Sequence, residues 1–243
     1  MSNFETNRAV INGFRLEVAD KVRISDASGW SSRLVYKYLL GYRNKLLHEK
    51  MRDKGYPLTQ LNSQPISCII LEEVPASECP CQPVGEFIFQ RSLYPIPNII
   101  GQVNSVNDGI GTYNYDYIQW SDFKYRLSSR FEADVTRPYW TLRRMRVNNR
   151  DGVYLITYNQ RFKTAATLSA VFSDPLDAFN YPSCTGDIDQ CFRPLDKEFI
   201  MDQQLIPILY DLAIQQLMKG KTPISDIVND NQDNVSNTQI PIK

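Results

Sequence analysis

Residues 30–55 read WSSRLVYKYLLGYRNKLLHEKMRDKG. Their spacing predicts one long helix. Ser31 supplies an N-cap, because a serine hydroxyl accepts from a backbone N–H that the first turn leaves unpaired. Trp30, just before the cap, is placed to pack on Val35 as a hydrophobic staple. Gly55 offers the left-handed residue that ends many helices. Leu34, Val35, Tyr38, Leu39, Tyr42 and Leu46 recur at helical spacing and form one apolar face. A second apolar strip, Tyr36, Leu40, Leu47 and Met51, runs about 120° round the helix. Arg43 and Lys50 separate the strips on one side; Lys37, Asn44 and His48 fill the other. One stripe suffices for a helix on the surface of a monomer, so two stripes imply two neighbours. Either the helix lies deep in its own domain, or one strip packs on its own subunit and the other on a copy. On the second reading, aspartates at Leu40 and Leu47 yield soluble monomers.

Outside this helix the composition is that of a globular chain. There are 243 residues, 42% hydrophobic and 22% charged, with 27 basic against 27 acidic side chains. A core is affordable, and wholesale disorder is excluded. Balanced charge gives no global field toward nucleic acid or membrane. No apolar run approaches the roughly 20 residues of a membrane span. The opening MSNFETNR has no apolar stretch after its charges, so no secretion signal is expected. Five cysteines, an odd number without framework spacing, fit a chain that folds in the cytoplasm.

Read in order, residues 2–8 are polar and expected to be loose. Phe14, Val18 and Val22 place a helix over about 13–24, with Gly13 weakening its start. The SDASG turn then makes an αα-hairpin with the main helix. After Gly55 the texture changes to short β-prone runs at 66–71 and 87–89, and an extended 94–97. Gly109 and Gly111 mark a turn, and Tyr113, Tyr115 and Tyr117 alternate as a strand with an aromatic face. Pro138–Val147 and Val153–Tyr158 form a hairpin around NNRDG, with Asp-Gly as the turn signal. Residues 164–170 suit a strand or a short helix, and 173–194 a loop. A last helix over 202–220 shows Leu205, Ile208, Leu209, Leu212, Ala213 and Leu217, starting close to Pro207. The polar segment beyond Pro223 is expected to be a mobile arm. The fold class is α+β: helices at 1–55, an inserted β-rich subdomain at 56–195, a helix at 196–222 that joins the first pair, and a tail at 223–243.

Chemistry is sparse in this chain. His48, the sole histidine, falls on the polar side of its helix. No Gly-rich phosphate loop, nucleophile elbow or zinc-protease motif is present, so no catalytic residue is assigned. Asp187 and Asp189 form a D-x-D in a polar loop, a weak metal signal. Cys79, Cys81, Cys184 and Cys191 are spaced poorly for tetrahedral zinc, and plain loop cysteines are the better reading. No cofactor or metal is expected. Charge says more. Residues 124–163 hold ten Lys/Arg against three Asp/Glu, whereas residues from 174 onward hold eleven acids against five bases. Arg137, Arg143, Arg144, Arg146 and Arg150 gather on or beside the hairpin, next to Tyr139 and Trp140. Three readings stay open: a solvated strand face, contact with the acidic face of the next subunit in a head-to-tail ring, or contact with nucleic-acid phosphate.

The WSSRLVYKYLLGYRNKLL segment resembles the helix opened by a Trp-Ser pair in head–tail adaptors of tailed bacteriophages. LIPILYDLAIQQLM at 205–218, followed by PISDIVNDNQDN, is similar to the end of neck ring proteins in crAss-like podoviruses of Bacteroidetes. ECPC at 78–81, with YPIP at 94–97, is similar to structural proteins of the same group. Leu34 stands where those adaptors often carry an acidic residue, so no capping box forms. The resemblance implies a non-enzymatic virion protein assembled in the host bacterial cytoplasm. It implies a ring, dodecameric in the family, that sits below the portal, extends the DNA channel and contacts adjacent neck or tail rings, with no membrane partner. Tyr36, Leu40, Leu47 and Met51 then become a candidate subunit interface. Arg143, Arg144 and Arg146 become candidate contacts to an acidic neighbour or to DNA in the channel, and the segment from Ile224 a contact to the portal or an adjacent ring. Two other readings stand beside it: a non-virion nucleic-acid-binding module using the same arginines, and a metal-dependent hydrolase built on Asp187 and Asp189.

Overall fold

A computed structural model describes residues 5–22, 30–52, 61–74, 88–109, 111–122, 138–159, 163–182, 184 and 193–220. Helices α1 (Asn7–Val22) and α2 (Ser32–Arg52) open the chain. Strands β1 (Gln64–Glu73), β2 (Ile88–Ser92), β3 (Ile99–Asp108), β4 (Asp116–Tyr117), β5 (Tyr139–Val147), β6 (Arg150–Asn159) and β7 (Ala165–Phe172) follow. The short α3 (Pro175–Phe179) and the long α4 (Ile206–Gly220) complete it. The α+β architecture is the expected one, and α4 packs on both α1 and α2.

The main helix starts as its sequence dictates: the Ser31 hydroxyl accepts from the Leu34 N–H at 3.2 Å. Gly55 and the 25–29 turn lie outside the described residues. Helix α1 begins six residues earlier than expected, because residues 5–8 are anchored rather than loose. The Thr6 hydroxyl accepts from the Ala9 N–H, and Asn7 donates from its backbone to the Lys197 carbonyl and from its side chain to the Pro194 carbonyl. Gly13 sits inside this helix for a packing reason. A Cβ there would stand 2.9 Å from the Tyr210 hydroxyl, which donates to the Val10 carbonyl. In α4 a turn of 3-10 helix at Gln203–Leu205 precedes Pro207, so the proline falls in the first turn, where its missing N–H costs nothing.

The seven strands run in the order β3-β7-β1-β2-β6-β5-β4, all neighbours antiparallel except β4 with β5. Strand β1 is shared between two halves: residues 64–70 pair with β7 and 71–73 with β2. The register shifts between Ile66 and Ile69, and Cys68 there has φ +58°. Such a bulge bends a strand and increases its twist, and the sheet curls. Residues 113–117 nearly close it. Tyr115 N–H donates to the Val106 carbonyl on β3, and one residue later Asp116 pairs with Tyr139 on β5. This change of partner explains why the three tyrosines do not share an aromatic face: Tyr115 is buried, whereas Tyr113 and Tyr117 are exposed.

Other expectations shift in detail. The hairpin turns at Asn148-Asn149, with φ of +48° and +62°, and Val147 pairs with Arg150. Two consecutive left-handed residues make the two-residue turn that suits strand twist, and asparagine tolerates them. Asp151 and Gly152 therefore belong to β6, and a Cβ on Gly152 would collide with the Pro95 Cβ. Residues 165–172 are strand. The expected loop at 173–194 contains α3, with Asp174 accepting from the Leu176 N–H and Pro175 in the first turn. Strand β3 was not anticipated; Gly101 (φ +73°) and alternating polar residues break its signal. Cys68 and Cys184 form a disulfide across a separation of 116 residues. That corrects the reading of Cys184 as a plain loop cysteine and takes it out of any zinc quartet. Cys79, Cys81, Cys191, Asp187, Asp189, Arg137 and the segment from 221 lie outside the described residues.

Three apolar clusters result. The first joins α1, α2 and α4 to Ile100 and Val171 on the sheet. The second fills the inside of the curl, around Leu155, Leu168 and Phe172. The third packs Phe89, Ile118, Tyr139 and Tyr158 beside the hairpin.

Candidate assembly surfaces

The two strips of α2 find both neighbours within the chain. Leu39 and Leu46 pack in the helical core, and the Tyr38 hydroxyl donates to the Ala213 carbonyl of α4 at 2.9 Å. The second strip turns toward the sheet. The Tyr36 hydroxyl donates to Asp174 Oδ1 at 2.9 Å, and Asn44 donates to the Ser173 carbonyl. A Cβ on Gly101 would stand 2.8 Å from the Met51 sulfur. Within the single chain Tyr36 is 7% and Leu47 1% exposed, while Leu40 and Met51 are half-buried against the same core. Leu34 and Ile208, expected inside, are 59% and 43% exposed.

Arg43, which the spacing places as a polar divider, is the largest fully buried side chain. Its Nε donates to the Ile200 carbonyl at 2.9 Å, and its Nη1 to the Phe172 carbonyl at 3.0 Å and to Asn44 Oδ1 at 3.1 Å. Burial lowers its pKa to about 10, against the opposing pull of Tyr36 and Asp174, so it remains a cation at neutral pH. Burial also pushes the Tyr36 phenol far up, helped by Asp174. Arg43 ties α2 to the end of β7 and to the approach to α4. No periodicity rule finds such a residue, since an arginine between two apolar strips reads as solvated.

The hairpin keeps its arginines on the outside. Arg143, Arg144 and Arg146 are all exposed. Successive strand residues point to opposite faces, so adjacent arginines separate. The Arg143 guanidinium lies over the Trp120 ring at 4.2 Å. With Arg146, Trp120 and Met145 it borders a hollow of about 290 Å³. Arg144 borders another of about 560 Å³ with Pro95, Asp151 and Asp177. Burial and then Asp174 raise the Asp177 pKa there. Part of the charge polarity is thus complementary within one molecule: basic Arg144 and acidic Asp177 line the same hollow. Trp140 and Tyr139 point inward and are buried. His48 is exposed.

A feature that the sequence did not announce lies where the curl fails to close. Beyond Val103 toward its start, β3 pairs only with β7 among the described residues; beyond Trp140, β5 pairs only with β6. Between these two edges runs a slot of about 560 Å³, walled by Ile99, Val103, Trp140, Leu142 and Val153, with Tyr117 at its lip. Tyr117 is 63% exposed and its ring lies 5.0 Å from that of Trp140.

These surfaces sit on a chain that a known family covers almost entirely. The family model described as phage tail ring protein 2, of the crAss group, matches residues 16–235. The chain belongs to this family. As a phage tail ring protein it is a structural component of the virion. No curated protein matches it. The match takes in the last part of α1, all of α2 and α4, the curled sheet and most of the segment that follows α4. Among the described residues no helix is long and apolar enough to cross a membrane, and no group of three potential metal ligands occurs.

Proposed function

We propose that this tail ring protein is a subunit of the neck: an oligomeric head–tail adaptor that joins the portal to the tail and extends the channel through which DNA leaves. The family match over both layers of the fold carries this reading. The proposed ring is made of copies of this chain, twelve as in the resembling adaptors, with the portal and adjacent neck or tail rings as partners. Its assembly surfaces are placed on the sheet, at Arg143, Arg144 and Arg146 and the slot beside them, with Leu40 and Met51 as what remains for contact on α2. The arginines meet an acidic neighbour or the DNA in the channel. The reading as a free nucleic-acid module is less well supported, because Arg143 and Arg144 leave the strand on opposite faces and Trp140 is buried.

The test is mass by light scattering, for the purified chain with and without the portal of the same virus. A shift from monomer to a portal-bound ring supports the adaptor. Absence of association at every salt concentration sinks it. Steeply salt-dependent DNA binding by the free monomer points instead to the nucleic-acid module.

A further inference from the structure

The slot between β3 and β5 has the makings of a strand-acceptor site. Its walls include the described edges of β3 and β5, with Val153 of β6 between, and strand edges present a row of backbone N–H and C=O groups that template another strand. Apolar side chains of Ile99, Val103, Trp140, Leu142 and Val153 line the slot, with Asn98 and exposed backbone supplying polar surface beside them. Its far end runs toward exposed Arg144 and Arg146 on β5. The occupant that fits is extended, carries apolar residues two apart, and is acidic beside them. Residues 222–242 contain Asp226, Asp230 and Asp233 and no Lys or Arg; Ile224, Ile227 and Val228 stand around the first of these acids, and Ile240 and Ile242 flank Pro241 near the end.

The fold also sets donor and acceptor apart. Helix α4 runs opposite to α2: Arg43 reaches Ile200, whereas Tyr38, earlier on α2, reaches Ala213. The C-terminus of α4 therefore lies toward the start of α2. The slot is at the other end, where Met51 meets Gly101. Twenty-one residues of helix separate these ends by about 30 Å. A donor segment at one end of the molecule and an acceptor at the other is a head-to-tail arrangement, the kind that closes into rings. Residues 221–243, at roughly 3.3 Å each when extended, reach about 75 Å, enough for a neighbour's slot as well as for their own, and the isotope pairing below tells the two apart.

We propose that the slot receives residues 224–242 of a neighbouring copy as an added strand, a β-augmentation that completes the curled sheet. The inference rests on the ring reading and deepens it. The test uses the full chain with Tyr117→p-benzoylphenylalanine, an exposed position at the lip, and in parallel Leu142→p-benzoylphenylalanine inside the slot. Light and ¹⁵N-labelled copies are mixed, assembled on the portal, irradiated and digested. The expected result is cross-links to peptides within 224–242, with light–heavy pairs among them. Cross-links confined to same-isotope pairs, cross-links to another segment such as 123–137, or none from either position overturn it. Mass measured on the same samples separates the two levels. Intact rings without tail cross-links refute strand addition and leave the ring; no association at all refutes both.

Discussion

The helical layer and the curled sheet handle their surfaces in opposite ways. The helices turn both strips of α2, a whole arginine and the inner face of α4 toward elements of their own chain, with Leu34 left exposed and Leu40 and Met51 half-buried. The sheet also buries one arginine, Arg91 of β2 against Glu72, but it keeps the hairpin arginines outside, leaves the described edges of β3 and β5 beside a slot, and carries an exposed tyrosine at the lip. Two apolar strips on a helix can thus both find neighbours within one chain. On the proposed reading the helical layer serves as the scaffold and the sheet carries the assembly surfaces.

The sharpest break in that comparison is Leu47→Asp against Leu40→Asp. Leu47 is 1% exposed, so an aspartate there buries an unpaired charge. It is expected to lower stability by about 4 kcal/mol or more, a large share of a domain's total. Leu40→Asp, at a half-buried site, is expected to stay below about 2 kcal/mol. Denaturant midpoints with unchanged slopes measure both. Two stable variants that merely fail to assemble would return the second strip to the interface. Next is Arg43→Ala, which leaves the Ile200 and Phe172 carbonyls unpaired around a cavity. A loss of about 3–4 kcal/mol is expected, and a loss below about 1 kcal/mol would show that the joint is dispensable.

Alkaline pH probes both layers together. Burial raises the phenols of Tyr36, Tyr38 and Tyr210 in the helical layer, of Tyr158 in the sheet and of Tyr181 just after α3. Each holds its proton in the folded state after the unfolded chain has lost it. This contribution is complete below about pH 10, the ordinary tyrosine value, and is lost as pH rises further. Arg43 acts in the opposite sense, since its folded pKa of about 10 lies below the usual arginine value; five tyrosines against one arginine make the net change a fall. Unfolding followed by circular dichroism from pH 9 to 12 should show stability dropping above pH 10, and a flat profile would contradict the burial of these rings.

Smaller effects separate two glycines. Gly152→Ala drives a Cβ into Pro95 under the hairpin and is expected to cost about 1–3 kcal/mol. Gly41→Ala meets nothing within 4 Å on an exposed helix face and is expected to stabilise by about 0.5–1 kcal/mol. Thermal midpoints decide both. Smallest for the monomer is Arg144→Glu, which should change stability by no more than about 0.5 kcal/mol while weakening capture by the portal in a pull-down. Full capture by Arg144→Glu combined with Arg146→Glu would remove the hairpin from the assembly surface.

The legible parts of this fold were those with local signals. Ser31 capped α2, Pro207 fell in the first turn of α4, and the hairpin after Pro138 formed. What the sequence concealed was decided by distant partners. Gly13 weakens a helix until Tyr210 needs its space, and Cys68 pairs with a residue 116 positions away. Arg43 changes from a solvated divider to a buried tie only once Phe172 and Ile200 arrive. Of the candidate site, the arginines could be read from charge density, but strand alternation then divided them. The slot had no local signature, because its walls come from β3, β5 and β6 and its existence depends on where pairing stops.

Hydrogen exchange of the full chain, free and bound to the portal, tests the division of labour most directly. The account predicts new protection at 97–103 and 141–147, the open edges of the sheet, with the amides of α1, α2 and α4 unchanged. New protection along α2, with those two edges still exchanging freely, would contradict it.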